Sequence, residues 1–268
     1  MRPFRLAPAQ PARQLVTRPR LLALLGERFE RRLVLVVAGA GFGKSTLLAQ
    51  AVAENELDPR GVDVWLSCAP DDAAASQLAA GLLTALHADP AGAADPVAAI
   101  TAAVWQRAPA EVALLLDDVH LLLPGSPGAA LLAELVRTLP ANAHLVLVGR
   151  GDPPVGWSRL AAAGEVREIR EDELGFAAQE LAQFARLREV PPSLLTGVGG
   201  WPALAELTAV TGQSRVADFG GRRSCRGCRG RTAGCWRLSP PRAGPTTRWR
   251  APSPAVRWRC GPCSPAYR

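Results

Sequence analysis

The chain has 268 residues, 48% of them apolar and 5% aromatic, enough to bury a substantial core in one or two domains. Its net charge of +7 is unevenly spread, since residues 1–218 hold all 24 acids and 19 basic residues, whereas residues 219–268 hold 12 Arg and no acid. The basic balance therefore says little about partners of the body, no run of about 18 apolar residues offers a membrane span, and the start lacks the apolar segment of a secretory signal, so a cytoplasmic protein without a membrane partner is expected.

Residues 1–16 read as an extended lead-in, and Thr17 is placed to cap a short helix reaching about Arg31. The next run, Leu33-Val34-Leu35-Val36-Val37, is apolar without polar alternation, as in a strand buried on both faces of a parallel sheet. It leads into Ala38-Gly39-Ala40-Gly41-Phe42-Gly43-Lys44-Ser45-Thr46 and a helix to about Glu54. Strand, Gly-rich turn and helix in this order aim backbone N–H groups and the positive end of a helix dipole at one point, which suits a polyphosphate.

The loop meets the pattern G-x-x-x-x-G-K-[S/T] at Gly43-Lys44-Ser45 and departs from it at Ala38, a strand-end position that does not need positive φ. Lys44, the only lysine in the chain, is expected to reach β- and γ-phosphates, and the Ser45 hydroxyl to bind Mg²⁺. The helix preceding the first strand either lies against that nucleotide or is a surface helix.

Further along, residues 61–67 read as a second strand, and Asp71 and Asp72 as the start of a helix running to about His87. A helix over 96–107 precedes the third strand, Val112 to Leu116, which ends in Asp117-Asp118-Val119-His120. Two acids at the C-terminal end of a buried strand fit the second nucleotide-binding element of a P-loop protein. Asp117 is the expected Mg²⁺ partner and Asp118 the group that orients or deprotonates an attacking water. A helix over 128–139 leads to a fourth strand, 144–149, ending in Arg150. That arginine is either a γ-phosphate sensor at the nucleotide crevice or a surface residue opening a turn. A fifth strand, 165–170, completes the sheet. Helices alone follow, one over 174–187 and one over 203–211, with Pro202 at a first-turn position where its missing N–H is harmless.

Taken together, the stretches Thr17 to Leu22, Ala38 to Thr46, Val64 to Ser67 with Asp71-Asp72, Leu114 to His120, Leu145 to Arg150, Leu174-Gly175-Phe176 and Gly200-Trp201-Pro202 resemble the STAND-class P-loop ATPase module of MalT-like, LuxR-family transcriptional regulators. The resemblance covers about residues 16–211 and includes Ala at the first loop position. It implies an α/β fold, a P-loop NTPase of ASCE/AAA-like type: a parallel five-stranded sheet with helices on both faces (31–170), a partial helical subdomain (171–218) and a disordered tail. It also implies that the Arg150 strand lies between the loop strand and the Asp117 strand, that Arg150 is the sensor arginine, and that Pro202 approaches adenine. Two departures stand out: Ala177 replaces the usual Thr cap after Phe176, and Gly149 stands where a small hydroxyl residue is common.

In such proteins ATP favours an open, self-associating form and ADP a closed one, with hydrolysis slow at most. The winged helix, helical sensor repeats and helix-turn-helix that normally follow are expected to be absent from this chain. Two alternatives remain: a stand-alone AAA-type ATPase, and a nucleic-acid-binding protein acting through the basic tail. That tail, from about Phe219, contains Cys225-x-x-Cys228 and Cys260-x-x-Cys263. It reads as the end of a frame-shifted GC-rich gene, as a basic nucleic-acid-binding segment, or as a zinc or redox site.

Overall fold

The computed structural model describes residues 5–9, 14–90 and 94–212. The chain divides into Met1–Arg223 and Ser224–Arg268, and every described residue belongs to the first unit. The readings of the tail, with Cys225, Cys228, Cys260 and Cys263, lie outside the described residues.

Five strands form one parallel sheet: β1 (Leu33–Val37), β2 (Val62–Ser67), β3 (Val112–Asp117), β4 (Ala143–Gly149) and β5 (Val166–Arg170). Their order is β2-β3-β4-β1-β5, so the strand ending at Gly149-Arg150 lies between the loop strand and the Asp117 strand. All positions of β1, β3 and β4 are buried, the consequence of uniformly apolar runs covered on both sides. The pleat divides them. Val34, Val36, Leu115, Val146 and Val148 face a layer containing α1 (Pro19–Gly26) and α2 (Lys44–Leu57). Leu33, Leu35, Leu114, Leu145 and Leu147 face α3 (Ala75–Ala85), α4 (Pro96–Trp105) and α5 (Pro127–Thr138).

Parallel register sets Ser67 beside Asp117, and Val37 beside both Gly149 and Arg170. The turns after β1, β3, β4 and β5 thus open on one sheet edge, where ligands bind in open α/β folds. After α6 (Ser158–Ala162) and β5 come α7 (Glu171–Leu174), α8 (Ala178–Leu187) and α9 (Pro202–Thr211). α7 packs its Leu174 into the sheet-side core, whereas α8 and α9 share a small core of Phe184, Ala185, Leu195, Val198, Leu204 and Ala205, joined by Val16 from the lead-in.

Three local expectations need correction. Thr17 does not cap α1: the N-cap is Arg18, no side chain caps it, and Pro19 begins the helix. Asp71 and Asp72 do not begin a long helix but lie in a 3₁₀ turn, Pro70–Ala73, and α3 starts only at Ala75. The reason is Asp72, whose fully buried carboxylate turns back to accept the Ala69 N–H at 2.7 Å and pairs with Arg5 of the lead-in. Finally, the single helix expected over 174–187 is broken at Gly175-Phe176, where the Phe176 N–H donates to Gly200 O at 2.6 Å. Ala177, the N-cap of α8, has no side-chain oxygen to offer, yet Glu180 accepts its N–H at 2.9 Å, the other half of a capping box.

Candidate phosphate-binding site

The loop between β1 and α2 turns through Gly41 at φ +80° and Gly43 at φ +76°, backbone that glycine adopts without penalty. Ala38 is not among the residues with positive φ; its N–H extends the sheet by donating to Gly149 O at 3.3 Å. Gly43 is the N-cap of α2, which starts without a side-chain cap, and the first intrahelical bond runs from the Leu47 N–H to Gly43 O. By helix geometry the N–H groups of Lys44, Ser45 and Thr46 have no intrahelical acceptor and form the positive end of a 14-residue helix.

Four successive loop carbonyls, Ala38 to Gly41, are engaged away from the amides. The Lys44 ammonium donates to Ala38 O at 2.9 Å and Gly39 O at 2.8 Å. The Trp201 indole N–H donates to Ala40 O at 3.1 Å, and the Ala203 N–H to Gly41 O at 3.0 Å. The Phe42 and Trp201 rings stack with centroids 6.1 Å apart and planes 19° apart.

Charged groups converge on this loop. Lys44 is buried, and burial lowers its pKa against the opposing pull of Asp117. Asp117, buried at the end of β3, has its pKa pushed up by burial while a hydrogen bond with the Ser45 side chain works the other way. Asp118 follows in the left-handed region at φ 56°, a strained conformation for Asp, and its N–H donates to Asp117 Oδ1 at 2.9 Å. Arg150 is exposed, and its positive charge acts on both Lys44 and His120. Gly149 has a packing reason to lack a side chain, since a Cβ there would lie 3.1 Å from Val119 Cγ2 and 3.3 Å from Gly151 O.

The fold therefore gathers Ala38 to Thr46, Asp117, Asp118 and Arg150 at one edge, with Pro202, first residue of α9, beside the loop. Sequence reasoning left several other groups there without a role. Glu171 lies at the end of β5, with Oε2 accepting the Gly39 N–H at 3.4 Å. His120 Nδ1 lies 3.7 Å from Asp118 Oδ1, and burial lowers the imidazole pKa. Trp201 was quoted only as part of a motif. The segment entering α1 has a packing role of its own: Arg18 donates to Leu174 O and Glu180, Arg20 to Glu180, Glu173 O and Gly175 O, so the Arg-Pro-Arg segment clasps the α7–α8 junction. The spacing of two arginines around a proline was a visible signal, but its acceptors lie more than 150 residues away.

The donor set fits a magnesium polyphosphate. Ser45 hydroxyl and Asp117 carboxylate are hard oxygen ligands already side by side. Beyond Gly43 there is open space, with nothing within 4 Å of where a Cβ would stand.

Residues 27–153 match the sequence pattern of the AAA domain family. The chain is 29% identical over 222 residues to the HTH-type transcriptional regulator MalT of Klebsiella pneumoniae, covering 73% of this chain and 24% of the regulator. The same regulator of Serratia proteamaculans is 29% identical over 219 residues, with the same coverage. The chain thus spans about a quarter of the length of the curated relatives it matches. Among solved structures, a signal transduction ATPase with a tetratricopeptide repeat sensor from Pyrococcus horikoshii superimposes with a TM-score of 0.47 at 18% identity, covering 77% of this chain and 31% of its own. Among the described residues no helix is long and apolar enough to cross a membrane. Sheet order, loop geometry and sequence likeness together support a likeness to the P-loop module of MalT-type regulators.

Proposed function

We propose that this module binds ATP or ADP with Mg²⁺ and works as a nucleotide-dependent switch in a cytoplasmic transcriptional regulator, turning ATP over slowly at most. The observation that carries the reading is the convergence of Lys44, the Ser45–Asp117 pair and the uncapped start of α2 on one point of the sheet edge. Lys44 neutralises phosphate charge as the backbone amides of Gly41 to Thr46 orient it. Ser45 and Asp117 hold Mg²⁺, which when bound supplies further neutralisation of the phosphate oxygens. Asp118 positions or deprotonates the attacking water, Arg150 responds to the terminal phosphate, and Pro202 borders the adenine.

The relatives are HTH-type transcriptional regulators, which supports a regulatory role, and their greater length leaves room for the segments that would read a signal and DNA. Self-association in the ATP form is part of the proposal, as is DNA binding through a helix-turn-helix of the kind in the relatives' name rather than through this module.

Steady-state hydrolysis by the full chain tests the switch reading against a stand-alone ATPase. Phosphate release slower than about 1 s⁻¹, the low end of typical enzymes, and slower still in Asp118→Asn at unchanged ATP affinity is the expected result. Brisk turnover without any effector would assign the chain to the stand-alone class.

A further inference from the structure

The amides that would hold a phosphate are useful only if the loop carrying them keeps its carbonyls turned away. Four successive carbonyls, Ala38 to Gly41, are held aside by two different agents. Lys44, within the loop's own helix, takes the first two; Trp201 and Ala203, at the start of α9 and more than 150 residues away, take the next two.

Three further observations bear on this second grip. Trp201 packs against both the sheet-domain core beneath α1 and α2 and the separate small core of α8 and α9, so it joins the two. Its ring stacks on Phe42 in the middle of the loop. At Gly41, a Cβ would stand 2.4 Å from Ala203 Cβ and 3.0 Å from Trp201 Nε1, so the glycine is required by the approach of α9 as well as by its positive φ. On the other side of the joint, Gly200 at φ +74° leaves no room for a Cβ, which would lie 2.9 Å from Phe176 O. The segment entering α9 is thus fixed at both ends, on the α7–α8 junction and on the loop.

We infer that Trp201 is a positioning residue for the phosphate loop: it presets the Ala40-Gly41 peptide groups, and docking of the α8–α9 segment and nucleotide binding are thereby one coupled equilibrium. The inference rests on the nucleotide-binding reading above and adds to it the contact through which the two parts communicate. Coupling of this kind is reciprocal. Whatever frees α9 from the loop weakens nucleotide binding, and bound nucleotide tightens the seat of α9.

The test uses the full chain as wild type, Trp201→Phe and Trp201→Ala, with Mg²⁺·ATP as the titrant and backbone hydrogen exchange as the second readout. Trp201→Phe keeps an aromatic ring beside Phe42 while removing the N–H donor to Ala40 and part of the indole's bulk, so it serves if the alanine variant does not fold. Affinity is expected to fall about tenfold in Trp201→Ala, in line with typical coupling between sites, and by a smaller factor in Trp201→Phe. In ligand-free protein, exchange at residues 39–43 is expected to quicken in both variants, an effect that a residue merely touching the ligand would not produce. Nucleotide is expected to slow exchange at residues 199–205 in wild type and to lose that effect in Trp201→Ala. Wild-type affinity in both variants, or unchanged loop exchange in ligand-free protein, would overturn the inference and leave the nucleotide assignment standing. Failure of wild type to bind Mg²⁺·ATP would overturn both.

Discussion

Lys44 and Asp117 each sit where burial opposes their charged form, and this is the residue-scale mark of a site kept ready for a charged ligand at some cost to the ligand-free fold. The raised pKa of Asp117 means that stability falls as pH climbs from the ordinary aspartate range through the raised value, and stays lower above it. Asp117→Asn, which can still accept from Ser45 and from the Asp118 N–H, is therefore expected to raise the melting temperature of the ligand-free protein at neutral pH, to lose that gain in acid, and to bind ATP with less dependence on Mg²⁺. Thermal unfolding at the two pH values checks the first two outcomes; an unchanged or lower melting temperature at neutral pH would mean that the carboxylate is compensated in the ligand-free state. Much of this site was legible at the residue scale, because Ala38 to Ser45 and Asp117-Asp118 are contiguous motifs whose meaning depends only on a strand preceding them. Glu171, His120 and Trp201 were not legible as site residues, since only the sheet register and the path of α9 bring them to the loop.

At the scale of elements, uniformly apolar runs gave β1, β3 and β4 to within a residue, whereas the corrections fall where a distant polar group intervenes. Arg5 reaches Asp72 across 67 residues and turns a helix start into a 3₁₀ turn; Arg18 reaches Glu180 across 162 and closes the break between α7 and α8. Periodicity cannot report such contacts. Glu180 anchors that junction. Burial alone would raise its pKa, but hydrogen bonds from Arg20, the Ala177 N–H and Arg18 bring it below the usual value. Its stabilising contribution is complete above the ordinary carboxylate range and is lost as pH falls through the lowered value. Glu180→Ala strands the buried Arg18 charge and is expected to cost about 3 kcal/mol, measured by denaturant unfolding, with a shallower loss of stability in acid than wild type. A cost below about 1 kcal/mol would place the clasp among surface ion pairs.

Over the whole molecule, the parallel sheet and the helices after it meet at the phosphate loop, so nucleotide binding and global stability are linked. A ligand that binds only the folded form at a hundred times its Kd adds about 2.7 kcal/mol, and here the gain is expected to reach the α8–α9 core as well as the sheet. The most direct measurement is calorimetric titration of the full chain with ATP, with and without Mg²⁺, in wild type and Lys44→Ala. Binding is expected to require Mg²⁺ and to weaken at least tenfold in Lys44→Ala, the equivalent of about 1.4 kcal/mol and within the range for a hydrogen bond to a charged group. Equal affinity in the two proteins, or binding indifferent to Mg²⁺, would contradict the account.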